Sequence, residues 1–296
     1  MDKLGTEATY FMSLLSSDRT VEIGPEVDGD TSTLTFHPAI FISDAHLGTK
    51  NCNAGLLLDF LKSVKTDHIY LVGDFFDNWR PLGGNWKDSH HAVVRHVLEQ
   101  MQSGVRVTYT PGNHDEFFRK YLGQFGGNLT IVDSVDHTTS NGTRYLVTHG
   151  DSVDVFSKWV PFVTRIGARI ESLVQHVNAT LNWMRRSLGM TDWLGINYAL
   201  SRFHRVVRKY DKFEERLSQL AIDQGADGVI CGHFHQPALH KDFGVIYANC
   251  GDWVENCTAL VETTDGSLEL VDWGLSAENM DNEIEEASEE PIRVGV

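Results

Sequence analysis

With 296 residues, 41% of them apolar and 10% aromatic, the chain can bury a substantial core and is ordinary in composition for a globular protein. Its formal charge of −16 excludes a protein that coats nucleic acid, whose footprint is basic overall. The absence of any run of about 18 or more uncharged apolar residues argues against a membrane-spanning helix, and without a secretory signal pattern the protein is expected in the cytosol.

The average charge conceals a contrast. Between Lys158 and Arg216 there are 11 Lys+Arg against 5 Asp+Glu, a net of +6, while the rest of the chain is strongly acidic. The four cysteines, Cys52, Cys231, Cys250 and Cys257, form no CxxC pair and are read as reduced thiols without a metal role.

Residues 1–36 lack periodicity and are expected to form a loose leader. A strand-like run, Ile40 to Ser43, is followed by a helix expected over Asn53 to Val64, where Leu57, Phe60, Leu61 and Val64 recur at helical spacing. The next strand is His68 to Val72. A Trp- and Gly-rich loop leads from it to a helix at about 88–102 with Val93, Val97 and Met101 as its stripe. A third strand, Val105 to Thr110, precedes a short helix expected at 117–125. Ser140-Asn141-Gly142-Thr143 then reads as a type I′ hairpin turn, because Asn-Gly tolerates positive φ.

From about 155 to 224 the pattern changes to long helices, an insertion into the α/β core. Strands resume at Gly228 to Cys231, Ala238 to His240, Val245 to Asn249 and a pair turning at Asp265-Gly266. The tail, 277–296, holds 7 Asp+Glu and one Arg and is expected to be disordered.

Five of the strand-like runs end in residues that bind metals. They lead into Asp44-Ala45-His46, Gly73-Asp74-Phe75-Phe76-Asp77, Gly112-Asn113-His114-Asp115, His149-Gly150-Asp151 and Gly232-His233-Phe234-His235. Taken singly, each has a plain alternative: a strand histidine can be a satisfied core residue, Asn113 a turn residue and Asp77 a helix cap. The recurrence in fixed order carries the reading. Alternation along extended backbone points residues i and i+2 the same way, so each Asp-x-His or His-x-His pair can aim at one centre. Seven ligands (Asp44, His46, Asp74, Asn113, His149, His233, His235) exceed one ion's needs, whereas two divalent ions ~3.5–4 Å apart and bridged by Asp74 would use them all.

This ordered set resembles the calcineurin-like metallophosphoesterase superfamily, whose blocks are DxH, GDxxD, GNHD/E, an internal His and GHxH. The resemblance spans roughly residues 37–273 and implies an α/β fold, a metallophosphoesterase-type layered α/β sandwich with a helical insertion or cap at about 155–224 within a domain at 37–276. It also implies a first ion on Asp44, His46, Asp74 and His235 and a second on Asp74, Asn113, His149 and His233. The ions would be Mn²⁺ in first place, with Fe or Zn as alternatives. His114, oriented by Asp115, would be catalytic, protonating the leaving group or stabilising charge on the phosphoryl oxygens.

Within the superfamily the chain resembles the UDP-2,3-diacylglucosamine diphosphatase branch of lipid A biosynthesis. Ile42 to Gly48, His149-Gly150-Asp151 and Gly251-Asp252-Trp253-Val254-Glu255 support this. Well-known members of that branch carry Arg where His114 stands, which places the chain nearer a sister group. The resemblance implies a nucleotide-lipid substrate and, through the basic insertion, an anionic membrane surface on the inner face; nucleic acid is not expected and no protein partner is inferable. Rival readings are another metallophosphoesterase activity (phosphodiesterase or phosphatase) and a catalytically silent scaffold.

Overall fold

A computed structural model describes residues 34–77, 86–125, 127–154 and 212–274. The leader up to residue 33, the stretch 155–211 that holds most of the expected helical insertion, and the tail from 275 lie outside the described residues.

The first half alternates strand and helix: β1 (Thr35–Ile42), α1 (Ala54–Ser63), β2 (Val64–Leu71), α2 (Asp88–Gln102) and β3 (Arg106–Tyr109). Strand order in the first sheet is β12-β11-β1-β2-β3-β5-β4. Here β5 is Leu129–Ile131, and the edges are β4 (Gly123–Phe125) and the pair β11 (Thr258–Glu262) and β12 (Leu268–Asp272). β1, β2, β3 and β5 run parallel, with Ile40 opposite Ile69 and Ile69 opposite Val107. The second sheet has the order β6-β7-β8-β10-β9: β6 (Ser134–Thr138), β7 (Arg144–Thr148), β8 (Gly228–Cys231), β10 (Ile246–Asn249) and β9 (Ala238–His240). Its middle strands β7, β8 and β10 are parallel, and its edges are antiparallel.

Period-two alternation divides each buried strand between two cores. In β1, Ile40 and Ile42 pack with Leu57, Phe60 and Leu61 of α1 and Val93 and Val97 of α2. Phe41, one position along, faces the other way and meets Tyr70, Val72, Tyr145, Val147 and Ile230 between the sheets. On the far side of the second sheet, Leu146, Val229 and Tyr247 lie under Phe213, Leu217 and Ala221 of α3 (Phe213–Asp223). The layers are therefore helix, sheet, sheet, helix. Phe41 is fully buried, and a Phe→Ala truncation at such a site costs about 3–5 kcal/mol.

Three expectations are corrected. The segment at 117–125 is not one helix: a 3₁₀ turn, Glu116–Tyr121, gives way to β4, which pairs with β5. The hairpin between β6 and β7 is not type I′, because only Gly142 has positive φ, +90°. The Thr139 N–H to Thr143 carbonyl bond closes a loop longer than two residues, and such loops need one left-handed position rather than two. Finally, α3, counted with the insertion, belongs to the core layer. Among the described residues no helix is long and apolar enough to cross a membrane.

Candidate metal centre

Parallel strands in each sheet send their carboxyl-terminal loops to one edge, where open α/β sheets place their ligands. There the loops after β1, β2, β3, β7 and β8 meet. Backbone bonds lock them: Asp44 N–H to Gly73 O (3.0 Å), His46 N–H to Asp74 O (2.9 Å) and Gly232 N–H to His149 O (3.2 Å). Asp44, His46, Asp74, His233 and His235 have φ of 51°, 47°, 50°, 73° and 56°. Among the described residues only two other non-glycine residues, Lys212 and Cys257, are left-handed. Each such residue costs on the order of 1–3 kcal/mol and persists where its surroundings over-determine it. The strain is concentrated on candidate ligands.

The side chains fall into groups that meet at Asp74. His235 Nε2 lies 3.3 Å from Asp44 Oδ1 and 3.2 Å from His46 Nε2. Asp74 Oδ2 lies 3.4 Å from His149 Nε2. Asp44, His46 and His235 form one cluster with ligand atoms in mutual reach, Asp74, His149 and His233 a second, and His46, Asp74 and His114 a third that joins them. Asn113 is half-buried between Gly112 and His114, whose N–H donates to Asp74 Oδ1 at 2.7 Å. The glycines of two motifs exist for closeness: a Cβ on Gly112 would run into Asp74 and His149, and one on Gly232 into Asp44 and Ser43.

Several rings are also held by the nitrogen turned away from the centre. His149 Nδ1 is 2.9 Å from Val72 O, His235 Nδ1 is 3.4 Å from Asp252 Oδ2, and His233 Nε2 is 2.9 Å from Asp154 Oδ2. Asp77 Oδ2 is 3.4 Å from His114 Nδ1 and 3.8 Å from His46 Nδ1.

This last contact corrects the role expected of Asp115. Its carboxylate is turned into the fold, where Oδ2 accepts the N–H groups of Phe75 (2.8 Å) and Phe76 (3.2 Å) and the Tyr109 hydroxyl, and Oδ1 accepts Gly112 N–H (2.7 Å). Asp115 staples the loop after β3 to the loop after β2. Asp77, a possible helix cap on sequence grounds, is the carboxylate facing His114.

The electrostatics suit a cation. Burial opposes ionisation of Asp74, but the adjacent His149 outweighs it and holds the carboxyl well below the usual range. Burial would likewise lower His46 and His149, yet Asp44 and Asp77 raise the first, and Asp74 the second, to about 10. Burial and the nearby Asp74 push Asp115 up to about 6. Asp44 Oδ1 and His149 Nε2 are buried and make no hydrogen bond, although ring nitrogens or a carboxylate oxygen lie within 4 Å of each. Carboxylate oxygens and ring nitrogens that converge in this way fit a divalent ion of the oxygen- and imidazole-binding kind, which would take the place of the ring protons.

The structure thus brings together Asp44, His46, Asp74, Asn113, His114, His149, His233 and His235. Sequence reasoning gave no role to Asp154 or Asp252. Asp252 stands in a motif quoted for its resemblance alone, whereas Asp154 belongs to none.

A family model described as calcineurin-like phosphoesterase matches residues 37–237. The chain is similar to a UDP-2,3-diacylglucosamine hydrolase of Neisseria meningitidis serogroup B, 26% identical over 247 residues that cover 77% of this chain and 95% of that one. A protein of the same name from Xanthomonas axonopodis pv. citri is 25% identical over 250 residues, covering 77% and 96%. Among solved structures, a phosphoesterase from E. coli is similar at 13% identity and a TM-score of 0.40, covering 79% of this chain and 98% of that chain.

Proposed function

The chain belongs to the calcineurin-like phosphoesterase family, and from that premise we propose that this phosphoester hydrolase cleaves the pyrophosphate of UDP-2,3-diacylglucosamine or a related nucleotide-lipid, giving UMP and a lipid sugar phosphate. The observation that carries the reaction class is the placement of Asp74 between two histidine–carboxylate clusters. The relatives named for UDP-2,3-diacylglucosamine support the substrate.

Asp44, His46, Asp74 and His235 would hold one divalent ion and Asp74, Asn113, His149 and His233 the other, with Mn²⁺ preferred over Fe or Zn. Such a pair supplies polarisation of a phosphoryl oxygen and activation of water. The protein's own groups do the rest. The His114 N–H pins Asp74 from one side. With Nδ1 facing Asp77, the ring in its imidazolium form would donate Nε2–H to a phosphoryl oxygen as negative charge grows there. The leaving group is an already acidic phosphate, so charge stabilisation is the main demand on His114. A hydrolysis screen with Mn²⁺ across UDP-diacylglucosamine, simple phosphodiesters and nucleotides tests this. UMP release should dominate; faster turnover of a simple phosphodiester would assign another substrate.

A lipid substrate implies access to a membrane surface. Residues 158–216, mostly outside the described residues, carry the net charge of +6, and each Lys or Arg near an anionic surface contributes about 1 kcal/mol. We propose peripheral attachment to the cytoplasmic face of the membrane through this segment. The protein should sediment with anionic liposomes at low salt and leave them at high salt. Charge reversal at Arg185, Arg186, Arg205 and Arg208 should abolish binding, and equal partitioning onto neutral liposomes would exclude this attachment.

A further inference from the structure

We propose that Asp154 is a positioning residue of the metal centre: its carboxylate fixes the tautomer and ring orientation of His233, so that Nδ1 is the nitrogen offered to the ion shared with Asp74 and His149. The inference deepens the two-ion reading and rests on it. Asp154 Oδ2 lies 2.9 Å from His233 Nε2, and both side chains are shielded, at 8% and 10% exposure. A charge-assisted bond out of water is strong enough to choose a tautomer. A ring nitrogen that carries a proton toward Asp154 has no lone pair for a metal, which leaves Nδ1.

The surroundings leave the ring little freedom. His149 meets it edge-on with ring centroids 5.2 Å apart, and Phe213 of α3 lies at 5.8 Å. Asp154 is itself held: it follows a 3₁₀ turn, Asp151–Val153, and its N–H bonds the Asp151 carbonyl at 3.3 Å. That turn begins at Gly150, where a Cβ would collide with Phe213. One loop thus delivers a ligand, His149, and five residues later the clamp on a second ligand from another loop. His235 is treated in the same way by Asp252, but Asp252 also accepts the N–H groups of Val254, Glu255 and Asn256. Its substitution would disturb the turn that those three N–H groups close, so the test is made at Asp154.

Partners in this position typically change metal affinity by about 10–100-fold. The test is Mn²⁺ titration by calorimetry of the full chain as wild type, Asp154→Asn and Asp154→Ala, with melting of each metal-free protein alongside. Wild type should bind two ions. Asp154→Ala should weaken one site by about 10–100-fold and leave the other at wild-type affinity, while the metal-free protein loses only the stability that one stranded His233 nitrogen carries. Asp154→Asn should fall between, because its amide oxygen still accepts the Nε2–H but carries no charge. Wild-type affinity at both sites of Asp154→Ala would overturn the proposal and leave the two-ion reading standing. Equal weakening of both sites with a lowered metal-free melting temperature would overturn it too, as the sign of a structural role. Fewer than two ions on the wild type would remove the two-ion reading and this inference together.

Discussion

Among the described residues two buried constellations of histidine and carboxylate stand out, and they are built on opposite principles. One is the candidate centre. The other is a seam involving β2, β3, β6 and β11, where His137 Nε2 meets Glu262 Oε2 at 3.0 Å, His137 Nδ1 meets the Tyr70 hydroxyl at 3.0 Å, and Glu262 Oε1 accepts Ser140 N–H at 2.8 Å. His68 Nε2 meets Thr108 Oγ1 at 2.8 Å. In the seam these atoms have partners, no member has positive φ, and burial lowers both histidines. In the centre, buried lone pairs go unbonded, five residues are left-handed, and His46 and His149 are raised. Residue type and burial do not separate a metal site from a polar core; polar satisfaction and strain do.

The largest expected effect breaks the comparison at its sharpest point. Asp74→Ala should abolish turnover and bring metal content well below two ions per chain, because that carboxylate belongs to one cluster and reaches the other through His46. Glu262→Leu should leave metal content unchanged and lower stability, since it strands a buried nitrogen of His137 and removes the acceptor of Ser140 N–H; the stranded buried group alone costs about 1–3 kcal/mol. Elemental analysis and urea unfolding of the two variants check this. Normal metal loading in Asp74→Ala would remove Asp74 from the centre.

A smaller loss separates ligands from the residue assigned to charge stabilisation. His114→Ala should retain both ions and lose turnover by about 10²-fold or more. Asp77→Asn should lose less, since it weakens what faces Nδ1 of His114 and His46 without removing either ring. Release of metal from His114→Ala would make His114 a ligand, a role its reach to His46 and Asp74 allows.

Both constellations use the same residue types, yet only one was legible from sequence. Asp44, His46, Asp74, Asn113, His114, His149, His233 and His235 each follow a strand within a short motif, and parallel pairing brings strand ends together whatever lies between them. His68 and His137 gave no signal because their partners, Thr108 and Glu262, come from other strands. The same reason hid Asp154, and it misassigned Asp115: adjacency to His114 in sequence is not adjacency of side chains, and the carboxylate went to four donors inside the fold. The short β4 escaped because three residues carry no period, and its identity depends on pairing with β5.

A last effect concerns pH, where the two regions should pull in opposite directions in the metal-free protein. Burial, with Arg106 and His137 adding to it, pushes His68 from 6.5 down to about 3, and burial lowers His137 as well. An unfolded histidine takes up its proton near 6.5, so the seam's contribution is fully present above that pH and is lost as pH falls from there toward 3. His46 and His149, raised from 6.5 to about 10, contribute fully below 6.5 and lose that contribution as pH rises through 10. Each proton bound by only one of the two states gives a slope of about 1.4 kcal/mol per pH unit. Urea midpoints of the metal-free protein should therefore fall on both sides of neutrality. His68→Phe, which keeps a ring against Tyr70, should make the acid side shallower, with His137 still contributing, and leave the alkaline side as it was. Saturating Mn²⁺ should flatten the alkaline side between pH 6.5 and 9, because the ions take the place of the protons on His46 and His149, and leave the contribution of the buried cysteines above 9. A loss between pH 6.5 and 9, below the range in which the buried cysteines ionise, that survives saturating Mn²⁺ would mean that the ions bind elsewhere.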